Sequence, residues 1–164
     1  MTFDRNLFVE YKRIMDNTMI RSCYRQVMSL IKTIASVLEE RLPAYRFMKR
    51  IVENQMDVTY FQLTNEQLKD RGLKIQVVFV HETCEFEVWM SGYNRNIQCA
   101  YAKVLAHQVH PFLVSTDPAR DDYIVKAVIK NRMTDADAES IVSEMQLKIE
   151  HLTEYFLDLS AQIH

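Results

Sequence analysis

Apolar residues at Ile20, Tyr24, Val27, Ile31, Ile34 and Leu38 step by fours and threes, which places them on one face of a helix over about 18–42. Pro43 ends that helix, because proline lacks an amide donor and disfavours helical geometry in the residue before it. A shorter amphipathic helix with Phe3, Leu7, Tyr11 and Ile14 precedes it, and Asp16, Asn17 and Thr18 are candidates to cap the longer one. The period then changes. "MDVTYFQL" (56–63) and "LKIQVVFV" (73–80) are rich in β-branched and aromatic residues. "CEFEVWM" (84–90) alternates, with Cys84, Phe86, Val88 and Met90 on one face and Glu85, Glu87 and Trp89 on the other. These segments predict three strands, the last two joined into an antiparallel hairpin by the short "HETC" link. "AYRFMKR" (44–50) reads as a further strand, "TNEQLKDRG" (64–72) as a loop with a helical turn, and "DDYIVKAVIK" (121–130) as a strand. Ile97, Tyr101, Val104 and Leu105 predict a helix over 94–108, closed by Pro111. Thr134 with Asp137 resembles a capping box, and the helix after it carries Ala138, Val142, Met145, Ile149, Leu152, Phe156, Leu159 and Ile163.

Together these elements predict a single α+β domain over residues 1–164. Helices occupy about 3–42, a mostly antiparallel sheet of four or five strands with its crossover helix about 44–131, and a long C-terminal helix about 134–163. Two glycines and three prolines among 164 residues fit long regular elements and few loops. At 48% hydrophobic and 26% charged the chain is long and apolar enough to bury a core.

Charge divides the two ends. Residues 1–50 carry ten Lys and Arg against five Asp and Glu, and residues 131–164 carry two against seven. A basic segment alone would suggest nucleic acid. An acidic segment of equal size offers it a partner, so nucleic acid is not expected and the two long helices are expected to face each other. The seam of Val142, Met145, Ile149, Leu152, Phe156 and Leu159 is of the kind that pairs helices, within one chain or across a homodimer. No apolar run is long enough for a membrane span, no secretory signal pattern stands at the N-terminus, and Cys23, Cys84 and Cys99 make no disulfide framework. A cytoplasmic protein with no membrane contact is expected.

The order helix, three strands, helix, strand is also that of PD-(D/E)XK nucleases, which hold Mg²⁺ with strand carboxylates and place a Lys two residues beyond the second acid. Here Glu85-Phe86-Glu87-Val88-Trp89 puts Trp89 where that Lys would stand. An atypical metal-dependent nuclease or phosphodiesterase would have to use Asp57 with Glu85 or Glu87 and a displaced Lys74 or Lys103. His81 with Cys84, and His107 with His110, lack the second pair that zinc needs. Neither a Gly-x-Ser-x-Gly elbow nor a phosphate-cradling Gly-rich loop is present. Cys84 and Cys99 read as buried core thiols. No catalytic residue, metal or cofactor is therefore expected.

What stands out is the corner "EFEVWMSGYNRNIQ" (85–98). Gly92 lets the chain turn, Asn94 or Ser91 can cap the following helix, and its first-turn amides with Arg95 favour an anion. One reading is a small polar-ligand pocket of Glu87, Trp89, Tyr93, Asn94 and Arg95; the other is a structural joint in which Arg95 pairs with Glu87 or Glu85 and Trp89 fills the gap.

The segments "MDVTYF" and "LKIQVVFVHETCEFEVWMSGYNRNIQCAY" resemble a family of bacterial proteins under a domain-of-unknown-function label. Its pattern matches Met56, Asp57, Thr59, Tyr60, Phe61, His81, Phe86, Glu87, Trp89, Gly92, Asn94, Gln98 and Tyr101. That resemblance implies no activity, but it groups Asp57, Tyr60, Glu87, Trp89, Asn94 and Gln98 as one unit. The expectation is a protein-interaction or small-ligand-binding module whose ligand residues are Asp57, Tyr60, Glu87, Trp89, Tyr93, Asn94, Arg95 and Gln98.

Overall fold

The computed structural model describes residues 4–132 and 137–160. Phe3, Thr134 and Ile163, which the periodicity assigns to helices or caps, lie outside the described residues. In chain order the elements are α1 (Arg5–Met15), α2 (Thr18–Arg41), β1 (Arg46–Phe47), β2 (Val52–Asn54), β3 (Val58–Thr64), α3 (Glu66–Asp70), β4 (Leu73–Val80), β5 (Glu85–Gly92), α4 (Arg95–Leu105), β6 (Leu113–Val114), β7 (Val125–Val128) and α5 (Ala138–Ser160). The class is α+β, as predicted. Met1–Ile34 and Ala35–His164 are two compact units, and the sheet belongs wholly to the second. No helix among the described residues is long and apolar enough to cross a membrane.

Helix ends follow the side chains available to satisfy their free amides. Asp4 accepts from the amides of Asn6 and Leu7, Asn17 from Met19, Asn94 from Ile97, and Asp137 from Ser140. At α5 it is thus Asp137 that caps.

Every strand pair is antiparallel, in the order β1-β3-β4-β5-β7-β6, with β2 also on β3. The count exceeds the expected four or five because β1, β2 and β6 are two or three residues long, too short to display a period. Two boundaries also move. Gln55 and Met56 have φ of 51° and 64°, so the first long strand starts at Val58 and Met56 sits in the β2–β3 turn. Val80 pairs with Glu85, which makes residues 81–84 the β4–β5 turn. Cys84 therefore lies in that turn with φ 55° and is exposed, whereas the alternation placed it on the core face.

Side chains alternate between the two faces of the sheet. Phe61, Leu63, Ile75, Val77, Phe79, Phe86, Val88, Met90, Val125 and Ala127 are buried on one of them. Helix α5 packs against β5 and α3, and Tyr101 of α4 meets Phe156 of α5 with ring centroids 5.7 Å apart. The six seam residues Val142, Met145, Ile149, Leu152, Phe156 and Leu159 are each at most 3% exposed within one chain. They are core, so the seam is not available as the face of a homodimer. Opposite charge does join the helices at one point: Arg41, in the last turn of α2, pairs with Glu139 at 2.6 Å and reaches Ser143.

The opposite face of the sheet is polar, and there Tyr60, Gln62, Lys74, Gln76, Glu87, Trp89, Ser91 and Lys126 stand side by side in register.

Two consecutive non-glycine residues in the left-handed region cost about 1–2 kcal/mol each. Met56→Gly is expected to raise the unfolding free energy by about 1 kcal/mol, less the extra entropy of the unfolded glycine. A urea midpoint equal to or below the parent's would contradict this account of the turn.

Candidate functional site

Strand β5 ends at Gly92 and α4 starts three residues later. A Cβ on Gly92 would lie 2.8 Å from the Gln98 amide nitrogen, 3.0 Å from the Asn94 carbonyl oxygen and 3.2 Å from the Gln98 Cα. All three are backbone atoms. Gly92 has no left-handed φ, so it is required for this close approach and not for the turn angle the sequence suggested.

Gln98, 2% exposed, pins the corner. Its Oε1 accepts from the Gly92 amide at 3.4 Å, and its Nε2 donates to the carbonyls of Pro118 at 3.0 Å and Asp121 at 2.5 Å. Loop 115–124 is thereby tied to the end of β5. Arg95 donates to the Asp121 carbonyl and to Asp122 Oδ1 at 2.7 Å. It does not pair with Glu87 or Glu85, the partners expected of it.

Those carboxylates have other partners. Glu87, 7% exposed, accepts from Trp89 Nε1 at 2.5 Å and from Lys126 Nζ at 3.0 Å. Glu85 pairs with Arg132 at 2.9 Å. The Trp89 ring leans on Tyr123 with centroids 5.1 Å apart, and Lys126 sits 5.4 Å from the Tyr123 ring centre. Trp89 is thus fixed by its indole N–H and by one ring neighbour.

Beside this joint the polar face of the sheet opens into a cavity of about 470 Å³. The strands contribute Tyr60, Gln62, Lys74, Gln76 and Trp89; the corner contributes Tyr93, Asn94, Arg95 and Gln98; Asn54 and Asp122 stand at its edges. Six of the eight predicted ligand residues therefore line one cavity: Tyr60, Trp89, Tyr93, Asn94, Arg95 and Gln98. Glu87 stands behind Trp89 and does not line it. Asp57 is apart, in a shallower concavity of about 430 Å³ with Met56, His81 and Glu82, because it belongs to the β2–β3 turn. Within the cavity, Asn94 Oδ1 is committed to capping and Gln98 is fully hydrogen-bonded, so both act chiefly as scaffold.

The sequence reading omitted Gln62, Gln76, Asn54 and Asp122 from the site, and took Lys74 only as a displaced nuclease lysine. Their signal was the polar alternation Tyr60-x-Gln62 and Lys74-x-Gln76, which puts each pair on one strand face.

Lys74 is half-buried, and among the described residues it has no hydrogen-bond or ion-pair partner. Burial is the main influence on its ammonium and lowers its pKa from the ordinary lysine value; Asp122 opposes this and Arg95 adds to it. Two residues on, Gln76 is 4% exposed, and its Oε1 accepts from Ser91 Oγ at 2.7 Å. Its Nε2 has no partner among the described residues. Ser91 Oγ is also 2.7 Å from the Asp122 carbonyl and has one proton for the two acceptors, and the far end of the Gln76 amide reaches the open cavity, so it is not a buried group left unsatisfied.

The acids of the metal-dependent alternative do not converge. Asp57 and Glu87 are in different surroundings, and no group of three His, Cys, Asp or Glu among the described residues is arranged to hold a metal ion. His81 Nε2 and Thr59 Oγ1 are hydrogen-bonded at 2.8 Å, and the Cys84 thiol donates to the His81 backbone carbonyl at 3.5 Å. Burial lowers the His81 pKa, with Glu53 and Asp57 opposing.

A Cβ forced against three backbone atoms leaves only backbone movement as relief. Gly92→Ala is expected to lose about 1–3 kcal/mol of stability by chemical denaturation. Gly72→Ala at the neighbouring turn serves as comparison, since its Cβ would meet only the flexible Ile97 side chain, although its φ of 70° adds strain of another kind. An unchanged Gly92→Ala midpoint would remove the close-approach argument.

The family model of a domain of unknown function (DUF7000) matches residues 4–160. No curated protein and no solved structure matches the chain significantly.

Proposed function

Since the chain belongs to the DUF7000 family, whose description names no chemistry, the site has to carry the reading, and we propose that the protein binds a small polar ligand in the cavity beside Trp89. One observation carries this. Lys74, half-buried, and the end of the Gln76 amide that faces away from Ser91 border the same cavity with hydrogen-bonding capacity that the described residues do not use. Burying polar capacity without a partner costs free energy, so such a pair is expected where a ligand completes it. The aromatic side chains of Tyr60, Trp89 and Tyr93 give the rest of the wall an apolar, flat character suited to small organic molecules.

The chain has one tryptophan, which lines the cavity, so its emission reports on this site alone. Titration with a panel of sugars, amino acids, organic acids, nucleosides and nucleotides is expected to give at least one saturable change in Trp89 emission, weakened tenfold or more by Gln76→Leu. If no panel member changes the emission, or if Gln76→Leu leaves every affinity intact, the reading fails.

Protein association is the second reading, and α1 favours it. Leu7, Tyr11 and Ile14 share one face of α1 and are exposed, Leu7 and Tyr11 by more than half. We propose homodimerisation through this apolar surface in place of the buried α5 seam. Light scattering is expected to show a mass that doubles with concentration, and a Leu7→Glu, Tyr11→Glu variant that stays at chain mass. A parent that holds chain mass across the range would end this reading.

A further inference from the structure

Resting on the small-ligand reading, we infer that the ligand of the Trp89 cavity carries a carboxylate or phosphate on a flat ring, with Lys74 as the anchor of the anion. The argument begins with where each charge is used. Glu87 is paired with Lys126, Glu85 with Arg132, and Asp122 with Arg95. Among the described residues that border the cavity, Lys74 is the cation without an ion-pair partner. Asp122 stands near enough to act on it but has given its Oδ1 to Arg95 at 2.7 Å. A neutral ligand would bury Lys74 further without compensating its charge, whereas an anion turns that desolvation into an ion pair.

Gln76 stands beside Lys74 at the cavity. It follows Lys74 by two residues on the same strand, so both side chains emerge on one face about 7 Å apart along the strand. Ser91 Oγ, with a single proton, stands 2.7 Å from the Asp122 carbonyl as well as from the Gln76 amide, so one end of that amide bonds Ser91 and the other presents a polar atom to the ligand. The half-exposed Arg95 guanidinium at the rim adds positive potential.

The ring requirement comes from Trp89. Its indole N–H is already donated to Glu87, so it offers the ligand no hydrogen bond, only the surface of a ring whose orientation Glu87 and Tyr123 hold. Stacking on a fixed aromatic surface favours a flat partner. Gln62 and Asn54, whose amides are uncommitted among the described residues, can meet polar atoms on the ring edge. The cavity, about 470 Å³, falls in the size range of small-molecule sites.

The single indole N–H resonance of the ¹⁵N-labelled full chain tests this with matched probes. Nicotinate is compared with nicotinamide, adenosine monophosphate with adenosine, and acetate and inorganic phosphate serve as anions without a ring. At least one ring-bearing anion is expected to shift the Trp89 resonance saturably, at least tenfold tighter than its neutral counterpart and than the ringless anions. The nicotinate and adenosine monophosphate arms separate a carboxylate from a phosphate. Lys74→Gln is expected to abolish the tenfold preference and Lys74→Arg to retain it, each with an unchanged folded spectrum elsewhere. Neutral probes that bind as tightly as anions, or a preference that survives Lys74→Gln, would overturn the anion inference and leave the pocket reading standing. Silence of the resonance towards every probe, neutral ones included, would overturn both.

Discussion

The backbone of α4 lies directly on Gly92, and the positions of the groups around the cavity descend from that contact. With no Cβ in the way, the first turn of α4 comes close enough for Gln98 to reach the Gly92 amide and, with its other end, two carbonyls of loop 115–124. That loop brings Asp122 to Arg95 and Tyr123 to Trp89. Arg95 takes one carboxylate oxygen of Asp122, and Lys74 feels that carboxylate without a bond to it. The corner is thus a structural joint, and by being one it shapes an unfilled space next to itself.

Strand β4 shows how burial on both faces hides function from a periodic reading. In "LKIQVVFV" the core-facing Leu73, Ile75, Val77 and Phe79 alternate with Lys74, Gln76 and Val78, yet Gln76 and Val78 are also buried. As the central strand of the sheet, β4 is flanked on its polar face by side chains of β3 and β5, including Tyr60 and Trp89. A glutamine there is largely covered yet leaves one end of its amide to the cavity, a combination that a hydrophobic-polar pattern cannot express. Glu87 is the opposite case: a buried acid whose two oxygens are both used, so that it holds Trp89 and Lys126 in place without facing the cavity.

The chain's own pattern was enough for the long helices, the β4–β5 hairpin and the shared face of Glu87 and Trp89, since each depends on residues close in sequence; it offered Asn94 or Ser91 as the α4 cap, of which the structure selects Asn94. It also brought six cavity residues into one group. Asp57 was misplaced because the left-handed residues Gln55 and Met56 delay the start of the strand to Val58. Cys84 was misplaced because the pairing of Val80 with Glu85 decides where the turn falls.

Questions about partners were decided only by the tertiary structure. Opposite charge at the two ends of the chain was visible in the sequence, but only packing selects Arg41 with Glu139. A seam of large apolar residues on α5 is equally good for a chain's own core and for a second copy, and burial of all six within one chain settles which it is. Arg95 had two acids nearby in sequence and chose Asp122, 27 residues away, because Gln98 holds that loop at the corner. Local periodicity reports which face a side chain occupies; which charge is left without a partner depends on every element that converges on the site, and so only the folded chain identifies Lys74.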